Sequence, residues 1–310
     1  MTRTPHSRSH RFVRSICRPS ADTSSVVSGG PATCYNNQVP PVLKKHIALP
    51  QDHGSWVFIL TPLTVGIAAA GAITLATAVV FVTSMALFLL RQPVAMFVKV
   101  ISGRRRREEL TPILFWTALY GLLALAGAAW LMIRGWTWLI RLAIPGIAVF
   151  VWHLWLVSKR QERKQMGIEL VAVGVLSLAA PAALWITLSE FQVLGWWLWL
   201  ICWMQAAASI VYAYARLSQR ALLAGSPAAA NLRRGSRSLA YASANFLASV
   251  GIGALVPRLH LIWLPFLLQL AEVLWGNLRP AIGWQPTRVG FRQLAVSTAW
   301  TGLCVAVVIP

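Results

Sequence analysis

The sequence predicts an all-α polytopic membrane protein, about nine transmembrane helices in one bundle with the amino terminus cytoplasmic. Three observations carry that prediction. The chain is 57% hydrophobic and only 12% charged, whereas a soluble domain carries about 25% charged residues. Apolar stretches recur from Trp56 to the carboxyl end, each roughly the 20 residues needed to cross ~30 Å of hydrocarbon. The basic residues fall almost wholly into alternate connecting regions.

Residues 1–45 come first and differ from the rest. They are rich in Arg, Ser, Thr and Pro, with Asp22 their one acid, a composition that predicts a disordered tail. The same composition fits an organelle transit peptide or a start codon placed too early; a secretory signal is excluded, because no apolar core follows the arginines. The stretch PPVLKKHIALP (40–50) reads as an amphipathic approach to the bilayer. The transmembrane domain is expected over 46–310.

Nine spans are predicted: 55–71, 73–90, 112–133, 137–157, 168–188, 192–214, 239–256, 259–277 and 291–309. The first two are short and share a hairpin near Gly71. With the amino terminus inside, the inner regions hold 25 of the 28 Lys and Arg residues, and the outer ends hold Arg134, Arg141 and Arg258. That asymmetry is the positive-inside rule, and an even number of spans would break it part-way along. It makes the protein multi-pass in the plasma membrane, and it accounts for the net charge of +20 without a nucleic-acid partner. Trp130, Trp136 and Trp138 at one outer turn, and Trp196, Trp197 and Trp199 at another, form an aromatic belt at the interface. GLLALAGAA (121–129) has the small residues of close helix packing in lipid. The four cysteines show no pairing or metal spacing, and no cofactor or metal is expected.

Polar residues cost most in a membrane, so they locate the candidate site. Asp52 and His53 begin span 1, Arg91 ends span 2, His153 lies above the inner end of span 4, and Arg216 and Arg220 follow span 6. Gln269 and Glu272 lie in span 8, before Asn277 and Arg279. All fall on the inner side; the outer side offers little beyond Glu190, Gln192, Arg258 and His260. Plainer readings exist for most: Asp52 as a helix cap, the arginines as stop charges at the lipid phosphates. Glu272 resists one, because an ionisable group seven residues, roughly 10 Å, above the inner end needs a partner or a function. Gln269, Glu272 and Gly276 share a face that is expected to look into the bundle.

The stretch PQDHGSWVFILTPLTVG (50–66), with Pro50, His53, Gly54, Trp56, Pro62 and Gly66, and the RQP at 91–93, resembles the signature of the YwiC-like family of bacterial membrane proteins. That resemblance implies the membrane fold and no particular activity. A weaker resemblance is to the UbiA-type intramembrane prenyltransferases, which are also nine-helix bundles. Their acidic motifs hold magnesium and a diphosphate after spans 2 and 6, and here YAYARLSQR (212–220) puts Arg216 and Arg220 where acids would stand. Arginine supplies no oxygen ligand to magnesium but binds phosphate directly. The expected site is therefore a cytoplasm-facing pocket of Asp52, His53, Arg91, Arg216, Arg220 and Glu272 for an anionic lipid such as a polyprenyl phosphate. The alternatives are a small-solute permease and a non-catalytic assembly partner of a membrane complex.

Overall fold

A computed structural model describes residues 45–50, 53–161, 165–220 and 228–310, without the side chains of Lys45, His53 and 228–232. Residues 1–44 of the tail and Asp52 lie outside the described residues. Every regular element among the described residues is helical: α1 (Val57–Ala70), α2 (Leu75–Ile101), α3 (Leu110–Ile133), α4 (Leu139–Ser158), α5 (Met166–Leu176), α6 (Ala179–Leu188), α7 (Leu194–Gln219), α8 (Ala228–Leu255), α9 (Trp263–Leu278) and α10 (Pro286–Val308). Among the described residues, eight segments are long and apolar enough to cross a membrane, and Gly54–Ala70 is a further, shorter apolar helix. Among the described residues, the arginines and lysines other than Arg134, Arg141 and Arg258 lie at or near the α2–α3, α4–α5, α7–α8 and α9–α10 connections or ahead of α1, and the end of the bundle these form is called here the basic end. At the opposite end Arg258 Nη2 donates to Ala69 O of α1 and, at 3.4 Å, to Val308 O of α10, tying two helix ends together.

The hairpin between the first two spans is built as the sequence suggests. Gly71 closes α1 in the left-handed region at φ 68°, which glycine enters without a Cβ penalty. Thr74 then starts α2 with a reciprocal capping box: its hydroxyl accepts from Thr77 N (3.2 Å), and its own N–H donates to Thr77 Oγ1 (3.1 Å).

Several boundaries differ from the sequence reading. The second span is not short: α2 continues through Arg91, Gln92 and Pro93 to Ile101. The residues after Pro93 are again apolar, and Gln92 Nε2 donates to His46 O of a short helical turn, Lys45–Ala48, whose Ile47 is fully buried. α7 likewise carries Arg216 within the helix, and α8 begins at Ala228, so Arg233, Arg234 and Arg237 are helical rather than loop residues. Span 5 is broken at Ser177–Leu178 into α5 and α6. Pro181, which lacks an N–H and crowds the carbonyl four residues back, accounts for the break.

At the centre stands α1, packed on α6, α10, α7 and α2. The closest crossing is at Gly66, where a Cβ would lie 2.3 Å from the carbonyl oxygen of Ala180. Only glycine admits that approach, and lipid-immersed helices depend on such van der Waals contact because lipid supplies no hydrophobic drive between them. Val65, Ala180, Leu198, Phe266, Trp300 and Cys304 fill the core toward the opposite end. Ile59, Leu63, Val80, Phe88 and Ala183 join α1 to α2 and α6.

Candidate functional site

On α7, polar side chains recur at Gln205, Ser209, Tyr212, Arg216 and Gln219, all buried. The alternating spacings of four and three keep them on one helix face. This face meets α9, through Gln269, Glu272 and Asn277, and α10, through Gln293 and Ser297. With no water in hydrocarbon, each polar group must find a protein partner, and most do. Gln205 Nε2 donates to Ser209 Oγ (3.1 Å) and Ser297 Oγ (3.2 Å). Gln269 Nε2 donates to Gln205 O at 3.0 Å, and Gln293 Nε2 to Ser209 O at 3.2 Å. The line ends at a hydroxyl pair, Thr61 with Thr301, 2.7 Å apart.

Toward the basic end the seam becomes ionic. Arg292 grips Glu272 with two parallel bonds, Nε to Oε1 at 2.6 Å and Nη2 to Oε2 at 2.8 Å, the fork geometry of a strong charged pair. Tyr212 donates its hydroxyl to the same Oε1 at 2.9 Å. The half-buried acid read from the sequence therefore has an arginine partner, supplied by the start of α10 rather than by the end of α7.

Arg216 is only 2% exposed. Its Nη1 donates to Gly276 O, to Arg279 O at 2.8 Å and to Gln219 Oε1 at 3.0 Å. Those carbonyls belong to the last turn and end of α9, where backbone acceptors lack helical partners and the dipole favours a cation. Arg216 thus caps α9. Its guanidinium carbon also lies 5.0 Å from the Trp284 ring centroid. Arg288 stacks on the same ring at 4.2 Å, and Arg220 donates through Nε to the Trp284 carbonyl. Three guanidinium groups so converge on one tryptophan in the α9–α10 connection, and Arg279 covers Trp275 nearby at 4.1 Å. Among the described residues none of these four arginines is paired with a carboxylate.

Of the other predicted positions, Asp52 lies outside the described residues, and His53, Arg91 and His153 stand apart from the Trp284 cluster in sequence and element. His53 opens a short 3-10 turn, His53–Trp56, which packs on α10. Trp56 meets Phe88 edge to face at 5.5 Å, and Arg91 sits over that Phe88 ring at 5.2 Å. His153 is half-buried on α4. The sequence reading brought forward Arg216, Arg220 and Glu272 but passed over Arg292, Trp284, Arg288 and the α7 amide and hydroxyl residues. Their signal was the four-and-three polar spacing on α7, diluted by its apolar neighbours.

No curated protein and no solved structure matches the chain. A model of the YwiC-like protein family matches residues 49–184, from the PQDHGSW stretch through α1 to the middle of α6. By that match this segment, with its run of membrane-length helices, is similar to the YwiC-like protein family.

Proposed function

We propose that the chain is a plasma-membrane protein whose basic end faces the cytoplasm and holds the phosphate headgroup of an anionic lipid, such as an isoprenoid phosphate, at the Trp284 cluster. The observation that carries this reading is the set of arginines around Trp284 and Trp275 with no carboxylate partner among the described residues. Arg220, Arg279 and Arg288 are half-buried or exposed and keep N–H groups for a ligand, while Arg216 holds the platform. A guanidinium fork matches phosphate geometry, and the aromatic rings limit its freedom before binding. The position suits the inner leaflet, whose surface is anionic.

The test is native mass spectrometry on purified protein with polyprenyl phosphate and, separately, with an anionic phospholipid. Arg220→Gln and Arg288→Gln each remove one charged hydrogen bond, on the scale of 1.5–3 kcal/mol, and should weaken binding about tenfold or more. Arg134→Gln at the opposite end changes net charge equally and should leave binding alone. If all three variants bind alike, the arginines are stop charges at the lipid interface. The permease reading has less support: beyond Thr61 and Thr301 the core continues with Val65, Ala69, Cys304 and Val308, all buried and without a polar path among the described residues.

A further inference from the structure

Between α7, α9 and α10, beside the Glu272–Arg292 pair, lies a small cavity lined by Gln205, Ser209, Tyr212, Gln269, Glu272 and Trp300 among others. It has room for about one water molecule. Two of its lining residues carry buried polar atoms with no partner, Gln269 Oε1 and Trp300 Nε1. Gln269 is 5% exposed and Trp300 fully buried, so bulk water does not serve either. The Gln269 amide cannot simply be reversed. Its Nε2 is held by the Gln205 carbonyl at 3.0 Å and faces Ser209 Oγ at 3.4 Å, and an oxygen placed there would oppose a carbonyl oxygen.

We propose that this cavity is a binding site for a single water molecule, which accepts from the Trp300 indole N–H and donates to Gln269 Oε1. The two orphan groups have opposite sense, one donor and one acceptor, and water satisfies both at once. A monovalent cation would meet the indole N–H and stand close to the Arg292 guanidinium. An anion would meet the amide oxygen and the Glu272 carboxylate. The lining therefore disfavours either sign of charge and selects a neutral group that both donates and accepts. Its size then selects water over a larger alcohol. The occupant makes the seam between α7, α9 and α10 hydrated next to its ion pair.

Two measurements on the full chain test this. A structure that resolves ordered water, determined in sodium chloride and again in rubidium bromide, should show the same peak in both, within hydrogen-bonding distance of Trp300 Nε1 and Gln269 Oε1. A peak that strengthens with the heavier salt identifies an ion and overturns the proposal, as does an empty cavity. The second measurement replaces Trp300 by its benzothienyl analogue, which keeps the ring shape and lacks the N–H. With water bound, the melting temperature should fall by about 2–4 °C. An unchanged or raised value overturns the proposal, because a dry cavity loses nothing when an unpaired donor is removed.

Discussion

The segment that carries the family match and the segment beyond it are held together by different means. In residues 49–184, helices meet mainly through shape. The Gly66 backbone lies against Ala180, and Gly127 stands where a Cβ would come within 2.0 Å of Thr83 Oγ1. On the flank of that segment, only 17% of the most apolar stretch of α3 and 11% of that of α4 is buried. Beyond residue 184, α7, α9 and α10 are joined by a line of amides, hydroxyls and an ion pair. Shape alone suffices for a scaffold in lipid. Hydrogen bonds additionally fix which faces meet, because each buried polar atom left without a partner costs free energy. The polar seam and the Trp284 cluster thus lie largely outside the part that matches the family model, with Thr61 as the point where α1 reaches into the seam.

The contrast can be broken most severely at Arg216. Arg216→Ala removes a fully enclosed side chain and strips Gly276 O and Arg279 O of their donor, so it should cost about 3 kcal/mol or more. Thermal unfolding in detergent reads it, and a change below about 1 kcal/mol would mean that α9 keeps its end without the arginine. Next comes the shape-held half. Gly66→Ala drives a methyl group against the Ala180 backbone and should cost about 1–3 kcal/mol by overpacking. Gly121→Ala, with open space around it, should be neutral or slightly stabilising. Equal effects at 66 and 121 would remove the case for shape. Glu272→Gln keeps the side-chain volume but loses the charged fork. Because Arg292 is 34% exposed, solvent moderates the loss, and about 1 kcal/mol is expected; a cost as large as that at Arg216 would show the pair to be shielded from water. The smallest effect is expected at Ile147→Ala on α4. This side chain is 62% exposed on the outside of the bundle, so the change should stay within about 0.5 kcal/mol. A larger loss would reveal a partner on that flank.

Much of the fold was legible in the sequence, because the thickness of hydrocarbon and the preference for basic residues on one side act through local composition. Helix ends were less so. The sequence reading ends spans 2 and 6 just ahead of Arg91 and Arg216 and starts span 7 after Arg237, yet Arg91, Arg216 and Arg233 lie inside helices, since long basic side chains let a helix run past the apolar layer. The site divides in the same way. Glu272 stands out because a lone acid in an apolar run calls for a partner or a function. The partner itself, Arg292, sits 20 residues on in another helix, and nothing local points from one to the other. Arg216 was read as a hand for a ligand. The carbonyls that occupy it come from the end of α9, a placement that only the packing of α7 on α9 decides.

That occupation has a consequence for how the basic end responds to ionic strength. A guanidinium enclosed against backbone carbonyls exchanges few mobile ions with solution, so the end of α9 should hold equally well in dilute and concentrated salt. Arg220, half-buried, and Arg288, exposed, at the same tryptophan lie within reach of screening over a Debye length of about 10 Å at 0.1 M. One cluster of arginines therefore contains a part that salt leaves alone and a part that salt silences, and a salt titration separates the support from the grip.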